Sequence, residues 1–321
     1  MIRITRTKRW AFGTAALALL LPRSELRAQS PNRPLSLPDR LAWQIALENV
    51  ALSPGIIDGR IGAKTQFATR EFQRVRGLPI TGRIDVATAA ALRVDSATAV
   101  MEYRVGPEDL AHIAPLPTEW LAKSKLKHLG YESLESSLAE KFHCTRRLLA
   151  ELNPGKNVNR LAVGDRVSVP NVDQAPQPPV VSAEMVEIDL SAKVVRVLSG
   201  RNEVLALFHC SIAADKSKRP SRDGHVDVVA NDPTYLFDPK MWPEVRGIDR
   251  KLVIAPGPRN PVGICWVGLS LPGYGIHGTP SPELIGKTGS HGCFRLTNWD
   301  AKRLGKMVQV GTRVRFVEGA N

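Results

Sequence analysis

The spacing of apolar residues changes along this chain, and the change limits what the chain can become. Before Pro170 apolar side chains recur at helical spacing, as in Leu41 with Ile45 or Ala68 with Phe72 and Val75. From Met185 onward they gather in short runs rich in β-branched residues: 186–190, 193–198, 204–212, 226–230, 263–269 and 313–317. Turn signals such as Ser199-Gly200-Arg201-Asn202 separate these runs. Between the two textures lies Pro170–Pro179 (PNVDQAPQPP), a composition that is extended and semi-rigid. The reading is therefore multidomain, with a mainly-β sandwich or barrel behind smaller modules. At 321 residues there is room for about two domains and a small third. The segments expected are 37–95, 128–171, a linker at 172–180, and 181–318, with one helix in the last following Asn298.

The net charge of +13 is partly local. Arg3, Arg6, Lys8 and Arg9 precede an apolar run, Ala11 to Leu21, and a polar stretch ends in Leu26-Arg27-Ala28. Basic residues, a short apolar run and a small residue read as a signal peptide over 1–28, cleaved near Ala28. A spanning helix needs about 20 apolar residues, more than this run has. The mature chain is expected to be exported to the periplasm or cell wall and not membrane-spanning. Export and the absence of any nucleic-acid motif exclude a nucleic-acid partner. It also gives weight to Cys144, Cys210, Cys265 and Cys293. A Cys210–Cys265 disulfide and buried free thiols on strands are both open at this stage.

The first module reads as three helices. Asp39 caps a helix carrying Leu41, Ile45 and Leu52, and Asp85 caps the third. Gly59-Arg60-Ile61 with Thr65 is echoed by Gly82-Arg83-Ile84 with Thr88. With Asp58, Gly62, Phe72-Gln73, Gly77-Leu78 and Thr81, these residues resemble the three-helix peptidoglycan-binding domain. Between 128 and 171, Tyr131–Leu134, Leu138-Ala139, Leu148-Leu149, Leu152-Asn153-Pro154-Gly155 and Val167–Pro170 suggest strand, two helices, strand. That βααβ order resembles a LysM module, which implies a glycan partner; a spacer without sugar affinity is the alternative. Residues 96–127 carry no assignment.

The chemistry gathers between Pro256 and Asn298. His277-Gly278-Thr279 is followed by Ser290-His291-Gly292-Cys293-Phe294-Arg295-Leu296. A thiol at its ordinary pKa of ~8.5 is mostly protonated at neutral pH, and the thiolate is the nucleophile. An adjacent imidazolium lowers that pKa, and the imidazole can return the proton to a leaving amine. Gly292 permits a tight turn, so N–H groups of Gly292 and Cys293 can form an oxyanion hole. Ser290 and His291 supply polar support, and Arg295 an anion-binding head. A zinc site of His277, His291 and Cys293 fits no common ligand spacing, so no metal is expected. His209 and His225 read as structural, and His112, His128 and His143 as surface residues. Trp43 and Trp266 read as core, while Trp242 and Trp299 fit core or rim.

These motifs resemble the YkuD-type L,D-transpeptidase catalytic domain over roughly Val186 to Val317. Arg219–His225 departs from the family's usual Thr-Pro-x-Gly-x-Phe segment. The resemblance implies peptidoglycan as partner and no cofactor. Cys293 would be acylated by a tetrapeptide stem with loss of D-Ala, and an amine acceptor would then take the acyl group. His277 would be the base, with a ring nitrogen held by the Gly278 carbonyl. His291 and Ser290 would support the turn, and Arg295, Tyr274, Thr279 and Asn298 would bind substrate. The acceptor is a second stem, a free D-amino acid, an outer-membrane lipoprotein, or water as in an L,D-carboxypeptidase. A non-enzymatic wall-binding scaffold is the remaining alternative.

Overall fold

Two buried glutamines explain the repeated Gly-Arg-Ile turns. In the computed structural model, which describes residues 34–172, 183–242, 245–290 and 292–319, the front segment holds α1 (Leu37–Asn49), α2 (Ala63–Val75) and α3 (Val86–Leu92). Gln44 of α1 accepts the Gly59 N–H at 2.9 Å and donates to Arg60 O and Thr65 Oγ1. Gln73 of α2 accepts the Gly82 N–H at 2.8 Å and donates to Arg83 O and Thr88 Oγ1. Each turn hides its backbone polar groups on one glutamine, as buried polar groups require. Asp85 caps α3 through the Thr88 N–H. Ser36 rather than Asp39 caps α1, and Asp39 answers from the third position as a capping box, with proline in the first turn. Leu52 lies beyond the end of α1 rather than on its face. The signal-peptide reading, linker residues 173–180 and His291 lie outside the described residues.

The middle segment runs β1 (Val100–Arg104), α4 (Pro107–Leu110), α5 (Trp120–Lys123), α6 (Leu134–Lys141), α7 (Arg146–Leu152) and β2 (Arg166–Pro170). β1 pairs antiparallel with β2, Tyr103 opposite Val167. The first strand expected at Tyr131–Leu134 is therefore at Val100–Arg104, in the stretch left unassigned. Ser133 decides this: its hydroxyl accepts the Ser136 N–H at 3.2 Å and starts α6 at Leu134. Residues 107–130 become an insertion between strand and helix.

The carboxyl-terminal segment contains β3 (Met185–Asp189), β4 (Val194–Leu198), β5 (Val204–His209), β6 (Gly224–Asn231), β7 (Tyr235–Phe237), β8 (Leu252–Ile254), β9 (Cys265–Leu269), β10 (Gly275–His277), β11 (Phe294–Arg295), α8 (Asn298–Met307) and β12 (Arg313–Val317). Eight strands form one sheet in the order β11-β10-β9-β6-β12-β3-β4-β5, and β7 and β8 form a separate hairpin. The sheet curls until its ends meet. Ser211, just past β5, exchanges backbone bonds of 2.9 and 3.0 Å with Arg295 of β11. Val186, Val195, Phe208, Val267 and Phe294 fill the interior, with Leu304 of α8 against them. Cys210 and Cys265 are free thiols in that core, and burial pushes them up to about 12 and about 11.

Both upstream segments pack on this sheet. Leu207 of β5 donates to Ala51 O and accepts from Ser53 N, each at 2.9 Å, so the front segment extends the β5 edge. Trp43, Leu47 and Phe72 share an apolar cluster with Val194 and Leu207. From the middle segment, Leu129 donates to Pro256 O at 2.8 Å and accepts the Arg259 N–H at 3.1 Å. The Arg259 guanidinium pairs with Glu132 at 2.9 Å and Glu140 at 3.4 Å.

Candidate active site

Short strands at the closing seam bring the reactive groups together. β10 lies between β9 and β11, with His277 opposite Trp266 on one side and Arg295 on the other. The His277 ring stacks on the Trp266 indole, centroids 5.4 Å apart. His277 Nδ1 lies 2.6 Å from the Gly278 carbonyl oxygen. A carbonyl can only accept, so Nδ1 carries the hydrogen and Nε2 keeps its lone pair. Burial drives the His277 pKa down to about 4; the Gly278 bond opposes this and Arg295 adds to it. At neutral pH the imidazole is uncharged.

Gly278 is required by packing. A side chain there would strike the Asn298 amide oxygen, as would one at Gly263, whose φ is +63°. Asn298 is buried, donates to Glu140 Oε1 at 2.7 Å and Pro258 O at 3.1 Å, and accepts the Ile264 N–H. It supports the His277-Gly278 backbone from behind and does not line the cleft, where it was expected to bind substrate.

Cys293 follows Gly292, whose φ of +152° only glycine adopts readily. Ser290 braces this turn: its hydroxyl donates to Cys293 O at 2.5 Å and accepts the Gly292 N–H at 3.3 Å. The Gly292 N–H, one of the two oxyanion donors expected, is thereby directed at the Ser290 hydroxyl. The Cys293 thiol lies 3.5 Å from Gly273 O. Burial pushes it above the ordinary cysteine value, against the pull of the Gly275 amide and the Arg295 guanidinium. The neutral His277 ring lends it no positive charge.

Cys293, His277, Arg295, Ser290 and Thr279 line one cleft of about 840 Å³. Trp266 lines it too, so this indole is part of the site rather than core alone. Tyr274 lies off the cleft, with its hydroxyl donating to Lys218 O at 3.2 Å. Arg219–Asp223 border a separate hollow, and none of them lines the cleft. One wall escaped the motifs: Tyr235, Leu236, Met241 and Trp242 of the hairpin region, with Trp120 and Lys123 of α5. His143 is not a simple surface residue, because it stacks on Trp299 at 4.7 Å and pairs with Glu48 at 3.2 Å. Among the described residues no three His, Cys, Asp or Glu side chains are grouped to hold a metal.

Residues 183–316 match the YkuD family, the L,D-transpeptidase catalytic domain. This segment is a YkuD-type L,D-transpeptidase domain. Residues 36–92 match the family described as "Putative peptidoglycan binding domain". Among curated relatives, "Putative L,D-transpeptidase YkuD" of Bacillus licheniformis is 28% identical over 183 residues, 57% of this chain and 92% of its own. "Probable L,D-transpeptidase YbiS" of Escherichia coli is 42% identical over 90 residues. That match spans 27% of this chain and 28% of the relative. A crystal structure of an L,D-transpeptidase from Xylanimonas cellulosilytica aligns with 90% of this chain and 98% of its own, at 18% identity and a TM-score of 0.36. The transpeptidase domain thus follows a peptidoglycan-binding one, and among the described residues no helix is long and apolar enough to cross a membrane.

Proposed function

We propose that this protein is an exported cysteine acyltransferase of peptidoglycan stem peptides, working in the periplasm or cell wall. The observation that carries the reading is the His277–Gly278 bond, which leaves Nε2 as a neutral base in the same cleft as Cys293 and Arg295. Arg295 holds a stem carboxylate. Cys293 Sγ attacks the carbonyl that joins the L-centre of a diamino acid to D-Ala, while His277 Nε2 takes the thiol proton. The Cys293 N–H faces the oxyanion. The C–N bond breaks, His277 returns the proton to the departing D-Ala nitrogen, and a thioester remains. An acceptor amine then gives its proton to His277 and attacks the thioester; the thiolate leaves and is reprotonated. The front domain, and a middle segment with LysM-like order, would hold the protein on the polymer.

Mass analysis of a tetrapeptide stem incubated with the protein tests this reading. A cross-linked dimer formed with loss of D-Ala, and abolished by Cys293→Ala, is the expected product. A tripeptide alone makes water the acceptor, and unchanged stem refutes the enzyme reading.

A further inference from the structure

Part of the cleft wall that the motifs do not supply comes from a segment outside both matched families. Residues 107–130 are inserted in the middle segment and reach the cleft through α5. Trp120 stacks on Phe237 of the hairpin at 4.3 Å, and its ring lies 5.7 Å from Trp242 and 6.1 Å from Tyr235. The Trp242 indole N–H donates to the Tyr235 hydroxyl at 3.2 Å. The Tyr235 hydroxyl in turn lies within electrostatic reach of Cys293. Trp120 is thus the outer support of an aromatic group that lines the same cleft as the nucleophile.

Lys123 is one turn further along α5, its ammonium 5.2 Å from the Trp120 ring centre, and it also lines the cleft. Among the described residues no carboxylate lies within ion-pair distance of it. The other two Lys or Arg side chains that line the cleft are differently placed. Arg259 is engaged by Glu132, Glu140 and the Pro280 carbonyl. Arg295 stands beside Cys293, close enough to feel its charge. The cleft therefore offers two separate available cations, one at the nucleophile and one at the far wall. An anionic peptide longer than one residue would engage both.

We propose that Trp120 and Lys123 form a specificity wall supplied by the inserted segment, with Lys123 binding an internal carboxylate of the stem peptide and Arg295 a different one. This rests on the acyl-transfer reading for the identity of the ligand, so binding is measured apart from turnover. Two peptides serve as probes in titration calorimetry against the full chain carrying Cys293→Ser. One is a tetrapeptide stem with all carboxylates free. The other has its internal carboxylates amidated and its terminal one free. Adding Lys123→Ala should weaken the free-acid stem about tenfold, the value of one charge-assisted hydrogen bond. The same change should leave the amidated stem's affinity where it was, and Lys123→Arg should recover most of the loss. Equal affinity of the Lys123→Ala and parent proteins for the free-acid stem overturns the inference. So does an equal loss on both peptides, which would mean that Lys123 does not read an internal carboxylate. Failure of the acyl-transfer reading looks different: the stem binds, yet the chain with Cys293 intact forms no thioester.

Discussion

His277 and Cys293 rest as a neutral pair, and this sets how the thiol responds to its neighbours. With His277 pushed down to about 4, the imidazole lends the thiolate no positive charge, so the imidazolium expected from the motif is absent. The Gly275 amide and the Arg295 guanidinium pull the thiol down against its burial. Rates of alkylation against pH should therefore place the thiol in His277→Ala where it is in the parent chain. In Arg295→Gln the thiol should titrate higher. Acylation by substrate should still fall by roughly 10²–10⁴ in His277→Ala, because the base is lost. A rise of the thiol pKa in His277→Ala would show that the pair is charged at rest. Which residue types meet here was legible in the sequence, since a few neighbouring positions carry the motif and a parallel strand pair aligns them. Which way each side chain faces was not. Asn298 and Tyr274 follow from the same motif region, yet one props up Gly278 and the other points to Lys218.

At the scale of elements, the end of α1 meets the start of α8 in a buried pair of acids. Burial raises Asp300 to about 7, and the charge of Glu48 adds to it. Burial would raise Glu48 as well, but the His143 hydrogen bond and Arg303 outweigh it and hold Glu48 low. Asp300 thus binds its proton more tightly folded than unfolded, where its value is 3.8. The stability this gives is complete in acid and declines as pH rises from about 4 to about 7. Asp300→Asn should raise the melting temperature at pH 8 by a few degrees and by progressively less toward pH 4. A constant offset across that range would rule out Asp300 as the titrating group. Elements formed by local signals, such as α3 with its Asp85 cap or the β3–β4 pair, were readable in the sequence. β1 was not, because its partner β2 lies some sixty residues away and only pairing makes Val100–Arg104 a strand. The β7–β8 hairpin was missed for its short strands and long connection.

Across the whole molecule, the upstream segments complete the transpeptidase domain as well as preceding it. The Pro-rich stretch implies separable parts, but the packing says otherwise. A fragment beginning at Ala183 would bare Leu207 and Val194, strip Arg259 of both its carboxylates, and leave Asn298 without Glu140. Losing one partner of a buried ion pair alone costs about 3–5 kcal/mol. Such a fragment should melt well below the chain from residue 35 onward, or bind an apolar dye in its native buffer. Identical melting of the two would mean that the observed packing contributes nothing. Trp120 beside the cleft belongs to this scale, and no local pattern announces a contact that spans more than a hundred residues.

The position of β12 has a consequence in time. It is carboxyl-terminal to every other described strand, yet it sits between β6 and β3 in the middle of the sheet. Until Arg313–Val317 has emerged and inserted, β6 and β3 lack the strand that hydrogen-bonds to both, and only the seam at Ser211 and Arg295 ties the two halves of the sheet. A chain that stops before Arg313 carries its cysteine and histidine on a sheet without its central strand. The framework around the reactive pair is thus finished after the pair itself is made.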